Sequence, residues 1–228
     1  MTARPLVIAI DGPAASGKSS TAQWVAERLG IRHVDSGALY RALTALALEG
    51  GPPESWTAER VLGVASRITL VPGERTFVPL LDGARDDDRL RGAAVTAGVS
   101  RVASLPACRD WVNAQVRAAA TQHAVVVDGR DIGTVVFPDA ALKIFLVADP
   151  WERATRRLVQ RLGRRPTEAE TAEETERLVK RDAADATQTV QARDAVLLDT
   201  TYLTQAEQVE RIVALARAVE GGGGARDG

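Results

Sequence analysis

One cysteine, Cys108, is all the chain contains, so no disulfide can close within it, and a reducing cytoplasm is the expected setting. Histidine is almost as scarce: His33 and His123 stand far apart, and no zinc-ligand spacing appears. Neither sign of charge is in excess, with 29 Lys and Arg against 30 Asp and Glu. No whole-molecule field therefore argues for nucleic acid or a membrane as partner. No apolar run approaches the roughly 20 residues that span a bilayer, and the N-terminus lacks the basic-then-apolar order of a secretory signal. Internal repeats are missing too. The expectation is a soluble chain of 228 residues with one domain over residues 1–220, large enough to bury a core without staples. The glycine-rich stretch 221–228 has nothing to pack and reads as a disordered tail.

What is present begins at Leu6. An apolar run to Ile10 has the character of a buried parallel strand, and the pattern G-x-x-x-x-G-K-S follows from Gly12 to Ser19. Behind it, Ala22, Val25, Ala26 and Leu29 recur at helical spacing, and Gly30 suits a C-terminal cap. Between a strand and a helix this pattern is a phosphate-binding loop. Gly12, Pro13, Ala14, Ala15, Ser16, Gly17, Lys18, Ser19 and Ser20 form the candidate nucleotide cradle. Glycines let successive N–H groups turn toward a phosphate at a helix N-terminus. Lys18 is then set to reach the β- and γ-phosphates, and the hydroxyl of Ser19 or Ser20 to bind Mg2+. The alternative, a glycine-rich turn that binds nothing, has both flanks against it.

Further on, the spacing predicts a strand over Ile31 to Asp35 and a helix carrying Leu39, Ala42, Leu43, Leu46 and Ala47. A short helix is expected near Ser55 to Ala65, and a small antiparallel insertion over Ile68 to Asp82, with Pro79 marking an edge. Helical pattern returns around Leu90 to Ala103 and from Pro106 to about His123. Strands are expected over Ala124 to Asp128, Leu142 to Val147 and Ala195 to Leu198, with helices opening at Asp149-Pro150, Thr167 and Thr204. Strands alternating with helices mean a parallel sheet that binds ligands at the carboxyl ends of its strands.

Three more stretches carry chemistry. In Asp35-Ser-Gly-Ala-Leu-Tyr-Arg41, Ser36 is placed to cap a helix. Arg41 lies among apolar neighbours, so it either meets an anion such as a phosphate or snorkels to the surface. In Val125-Val-Val-Asp-Gly-Arg-Asp131, Arg130 and Asp131 follow a strand's carboxyl end. Asp128-Gly129 between apolar runs is also a hairpin signal, with Ile132 to Phe137 as the returning strand. Finally, Arg153, Arg156, Arg157, Arg161, Arg164 and Arg165 crowd one segment. They form either a solvated face neutralised by Glu168, Glu170, Glu173 and Glu174, or a mobile flap that closes over a triphosphate and excludes water.

Taken with Lys143-Ile-Phe-Leu146 and the longer run Asp128-Gly-Arg-Asp-Ile-Gly-Thr-Val-Val-Phe-Pro-Asp139, these motifs resemble the bacterial cytidylate kinases from about Leu6 to Val219. The resemblance implies a nucleoside-monophosphate-kinase fold: an α/β core with a five-stranded parallel sheet, a monophosphate-binding region over about 36–110 enlarged by a small antiparallel sheet, and an Arg-rich lid over about 151–168. It implies ATP-dependent phosphorylation of CMP and dCMP with Mg2+ by a cytoplasmic monomer, with nucleotides as its only partners. It also implies Arg41 and Arg130 near the CMP phosphate, Ser36 at the substrate, Arg157 among the lid's catalytic charges, Ser100, Arg109 and Asp131 at the cytosine, and Arg181 and Asp185 near the sugar. Where the family usually carries R-D-x-x-D-x-x-R, this chain reads Arg181-Asp-Ala-Ala-Asp-Ala-Thr-Gln188, which implies weaker CMP binding. A P-loop switch would want N-K-x-D and D-x-x-G motifs, and none serves that role here. A kinase of another acceptor, UMP or a shikimate-like molecule, is the nearer rival.

Overall fold

The computed structural model describes residues 5–223. Its centre is the strand β1 (Val7–Asp11), followed by the loop to Gly17 and helix α1 (Lys18–Leu29). Then come β2 (Arg32–Asp35), α2 (Ser36–Ala47) and α3 (Ala58–Leu62). A hairpin of β3 (Ile68–Pro72) and β4 (Phe77–Leu81) leads to α4 (Asp87–Arg91), α5 (Ala93–Ala103) and α6 (Pro106–Ala120). The chain returns to the sheet with β5 (Val125–Asp128), makes a π-helical turn over Ile132–Val136, and continues into β6 (Leu142–Val147). The helices α7 (Pro150–Leu162) and α8 (Glu168–Asp185) precede β7 (Val196–Asp199) and α9 (Gln205–Gly223).

The five strands β2-β5-β1-β6-β7 pair in parallel in that order, and β3 and β4 form the separate antiparallel pair. Alternation along β1 explains the two layers of core. Ile8 and Ile10 join Val126, Ile144 and Leu146 against Val25 of α1 and Ile212 of α9. Ala9 faces the opposite way, with Val34 and Val127, against Leu39 and Leu43 of α2 and Val112 and Val116 of α6. Because β1 lies between β5 and β6, the chain leaves it toward one side and later returns on the other. That reversal opens a crevice at the carboxyl ends, where Asp11, Asp35 and Asp128 terminate their strands.

The local expectations translate closely into elements. Gly30 takes φ 68° after α1, and Asp149 accepts from the N–H groups of Trp151 and Glu152. Thr167 and Glu170 form a reciprocal capping box. Four readings need correction. The helical pattern from Leu90 to Ala103 is two helices, because Gly92 adopts ψ 154° and cannot continue the first. Asp35 rather than Ser36 caps α2, its side chain accepting from the Ala38 N–H; the Ser36 hydroxyl instead donates to the Asp128 carbonyl at 2.7 Å. Ile132 to Phe137 is no returning strand: the Phe137 N–H donates to the Ile132 carbonyl, closing a π turn. Gly129 is demanded by close approach, since a Cβ there would lie 2.7 Å from the Ser36 hydroxyl. Lastly, α9 runs through Gly221 to Gly223, past the start of the expected tail, while 224–228 lie outside the described residues.

Candidate active site

The phosphate loop is held open by three left-handed or otherwise positive-φ residues: Gly12 at 147°, Ala15 at 55° and Gly17 at 88°. Lys18 opens α1 and turns its ammonium onto the Pro13 carbonyl at 2.5 Å and the Ser16 hydroxyl at 3.4 Å. Burial, and after it the charge of Arg130, pushes the Lys18 pKa down to about 7. Both effects disfavour the cation and outweigh the opposing charges of Asp128 and Asp11, so a bound phosphate would stabilise the protonated form.

Both backbone polar groups of Ala14 are taken by side chains. Arg153 of α7 donates to the Ala14 carbonyl at 2.7 Å, and Asp182 of α8 accepts from its N–H at 3.0 Å. Arg153 and Asp182 pair with each other at 2.7 Å, so one ion pair grips the loop from both α7 and α8. Sequence reading missed Asp182, which adjoins Arg181 but is brought to Ala14 only by folding.

Ser19 donates to Asp128 Oδ2 at 2.5 Å, whereas Ser20 donates to the Gly17 carbonyl of its own helix. The strand-end acids differ in their surroundings. Asp11 accepts from the N–H groups of Ile132 and Gly133 at 2.8 and 2.7 Å and so anchors the π turn; burial nevertheless raises its pKa to about 6. Asp35 also rises to about 6, through burial first and the Asp128 charge second.

Arg41 donates to the Leu90 carbonyl at 3.3 Å and the Thr96 hydroxyl at 3.1 Å, both neutral. Burial and then the nearby cations Arg181, Arg157 and Arg91 lower its pKa, although Asp35 opposes them. Among the described residues no carboxylate forms an ion pair with this half-buried guanidinium. Arg130 donates to the Gly12 carbonyl and to Asp185, each at 2.9 Å, bridging the phosphate loop to α8. Arg181 lies 3.7 Å from the same carboxylate, and its Nε has no hydrogen-bond partner among the described residues.

Beyond them Arg109 of α6 pairs with Asp131 and also donates to the Gln188 side-chain oxygen at 3.0 Å. Ser100, Arg109, Asp131 and Gln188 line one cavity of about 280 Å³ together with Ser36, Arg41, Arg130 and Arg181. Asn113, buried one helical turn beyond Arg109, joins that wall. Its spacing of four from Arg109 was the available signal, and sequence reading passed over it. A wider cleft of about 720 Å³ opens on the other side of the loop and shares Lys18, Ser19, Asp35, Arg41 and Arg157 with the first.

The arginine run divides by role. Arg153 is buried, and Arg156 donates to the Thr200 and Thr201 carbonyls, tying α7 to the segment after β7. Arg157 pairs with Glu174 at 2.8 Å at the edge of both cavities, Arg161 lies 3.6 Å from Glu174, and Arg164 bonds Glu170. Glu170 and Glu174 thus neutralise part of the run, as one expectation has it, and of the arginines paired with Glu174, Arg157 lines both clefts and Arg161 the wider one.

A family model described as cytidylate kinase matches residues 8–218. The chain belongs to the cytidylate kinase family. Proteins named cytidylate kinase from Chlorobaculum tepidum and Geobacillus kaustophilus are 40% and 42% identical to it, over 95% and 93% of this chain and 94% and 96% of theirs. A solved structure of an uncharacterized protein from Eubacterium ventriosum superposes with a TM-score of 0.50 at 12% identity, covering 93% of this chain and 98% of that one, a likeness of fold alone. Membership places the chain among the nucleotide-binding kinases. Among the described residues no helix is long and apolar enough to cross a membrane.

Proposed function

We propose that the chain transfers the γ-phosphoryl group of ATP directly to CMP and dCMP, yielding CDP and dCDP, as a cytoplasmic monomer. The observation that carries this reading is one cavity wall shared by Lys18, Ser19, Arg41, Arg130 and the Arg109–Asp131 pair. The monophosphate-binding region spans about 36–110 and the lid about 151–168. Lys18 and the loop amides hold the donor phosphates. Arg41 and Arg130 hold the acceptor phosphate, and Ser36 lies beside them. Arg181, with its unpartnered Nε, and Asp185 receive the sugar.

Among the described residues no group of three or more acidic, His or Cys side chains is set to hold a metal ion. Mg2+ needs no such cage, since it is commonly bound through substrate phosphates, water and one or two protein oxygens. Ser19 fits that role: its one hydroxyl hydrogen goes to Asp128, which leaves its lone pairs for a cation. Ser20 stays the alternative ligand on the far side of the turn. Bound there, Mg2+ supplies charge that offsets the electrons gathering on the β–γ bridging oxygen.

An oxygen of the CMP phosphate, anionic at neutral pH, bonds to the γ-phosphorus as the bond to the bridging oxygen breaks and ADP departs. No general base is needed. The protein contributes alignment and charge, with Arg157 meeting the charge that develops between donor and acceptor. Production of ADP from MgATP with CMP, dCMP, UMP, AMP, GMP and shikimate offered separately tests the proposal. CMP and dCMP should be used at least about tenfold more efficiently than the rest. A preference for shikimate, or ADP release independent of any acceptor, overturns it.

Cytosine offers an N4 amino donor beside N3 and O2 acceptors, which suits Asp131 as acceptor and Arg109 and Ser100 as donors. Asp131→Asn is expected to lower kcat/KM for CMP about ten- to a hundredfold more than for UMP, because an amide can turn a donor toward the uracil carbonyl. Equal losses on both substrates would place Asp131 outside base recognition.

Gln188 reaches the same wall, while Arg193 is exposed and does not line the cavity. Gln188→Arg should therefore add a charge-assisted donor, partly opposed by repulsion from Arg109. A fall in KM for CMP of about three- to fivefold is expected, with KM for ATP nearly unchanged and Arg193→Ala without effect. Steady-state kinetics on the two variants decide it, and a large loss in Arg193→Ala would reverse the assignment.

A further inference from the structure

The imidazole of His33 lies at the centre of a path that the proposed transfer does not use. It is 5% exposed, on β2, and its Nε2 stands 2.7 Å from Asp128 Oδ1. The other oxygen of that carboxylate accepts the Ser19 hydroxyl at 2.5 Å. On the far side of the ring, His33 Nδ1 lies 3.2 Å from the Thr76 hydroxyl, which belongs to the turn joining β3 to β4. Backbone bonds fix that turn to the sheet edge: the His33 N–H donates to the Arg75 carbonyl at 2.9 Å, and Arg32 Nε to the Gly73 carbonyl at 3.1 Å. An unbroken line of hydrogen bonds thus runs from the inserted hairpin, through His33 and Asp128, to the first hydroxyl of α1.

A carboxylate with both oxygens occupied has one orientation available. If the donor on Oδ1 is lost, a buried Asp128 must rotate or draw in water, and Oδ2 then no longer fixes where the Ser19 hydroxyl sends its hydrogen. The direction of the Ser19 lone pairs goes with it. We propose that His33 is a positioning residue: by clamping Asp128 it aims the Ser19 hydroxyl at a divalent cation on the nucleotide phosphates, and Thr76 makes that aim depend on the docked hairpin. This rests on Ser19 serving the cation, as in the function proposed above.

Two amides separate this role from mere packing. His33→Gln can present its amide nitrogen about where the imidazole Nε2 sits, whereas His33→Asn is equally polar but one methylene too short to reach Asp128. The measurement is Mn2+ affinity for the protein–ADP complex, followed by electron paramagnetic resonance. Expected are losses of about tenfold for His33→Asn and for Ser19→Ala, near-wild-type affinity for His33→Gln, and a His33→Asn/Ser19→Ala double variant no weaker than Ser19→Ala. Unchanged affinity in His33→Asn, or losses that multiply to about a hundredfold in the double variant, overturns the proposal. Unchanged affinity in Ser19→Ala does the same, by removing the hydroxyl from the path. Wild-type turnover of CMP, measured alongside, reports on the reaction separately, because the Mn2+ titrations need no acceptor.

Discussion

Lys18→Ala is expected to leave a folded protein whose phosphoryl transfer to CMP falls at least about a hundredfold, the usual consequence of removing one preorganised charge from a transition state. The fold should survive because, among the described residues, the ammonium hydrogen-bonds only to Pro13 and Ser16, inside the loop it belongs to. Its removal also relieves an unfavourable situation in the ligand-free protein, where burial and Arg130 already hold its pKa down to about 7. Melting temperature should therefore hold or rise slightly while turnover collapses. Turnover near that of the wild type would remove Lys18 from the phosphate loop's chemistry.

The second large effect is on stability. Gly12 sits at φ 147°, and a Cβ there would lie 2.2 Å from the Leu146 carbonyl oxygen of β6. Both the backbone and the neighbouring strand would have to give, and Gly12→Ala is expected to cost about 3–5 kcal/mol. For a domain of this size that lowers the melting temperature by on the order of 10 °C. Gly30→Ala is the control: φ is 68°, but nothing stands within 4 Å of the added carbon, so only the backbone term of about 1 kcal/mol applies. Calorimetric melts of the two variants test the comparison, and equal losses would show that the Leu146 contact is not what requires glycine at position 12.

The elements of this fold were legible where their causes are local. The loop from Gly12 to Ser19 announces itself because phosphate binding needs those residue types in that order, and the capping box at Thr167 and Glu170 closes within one turn. The strands β1, β5 and β6 followed from apolar runs buried on both faces. The errors fall where a long-range contact outweighs a local signal. Asp128-Gly129 suggests a hairpin, yet Asp11 captures the N–H groups of Ile132 and Gly133 and turns the segment into a π turn. Ser36 is a fair cap by composition, but Asp35 takes that place and frees the Ser36 hydroxyl for β5. The grip of Asp182 on Ala14 joins residues 168 positions apart, and His33 meets Asp128 across 95. No spacing rule could have paired them.

The ion pair that holds Ala14 also determines how the arginines travel. Arg153 and Asp182 pin the start of α7 and the end of α8 to the phosphate loop, so neither helix can slide bodily away without dragging the loop's own backbone. A rocking of the far end about that pin would leave the loop in place, and it would work against the second tie, from Arg156 to the Thr200 and Thr201 carbonyls. Along an α-helix Arg157 lies about 6 Å from Arg153 and Arg161 about 12 Å, so any given angle carries Arg161 twice as far. In such a rocking the helix would act as a lever: Arg157 would stay close to the shared edge of the two clefts, while Arg161, which lines only the wider one, would cover twice the distance.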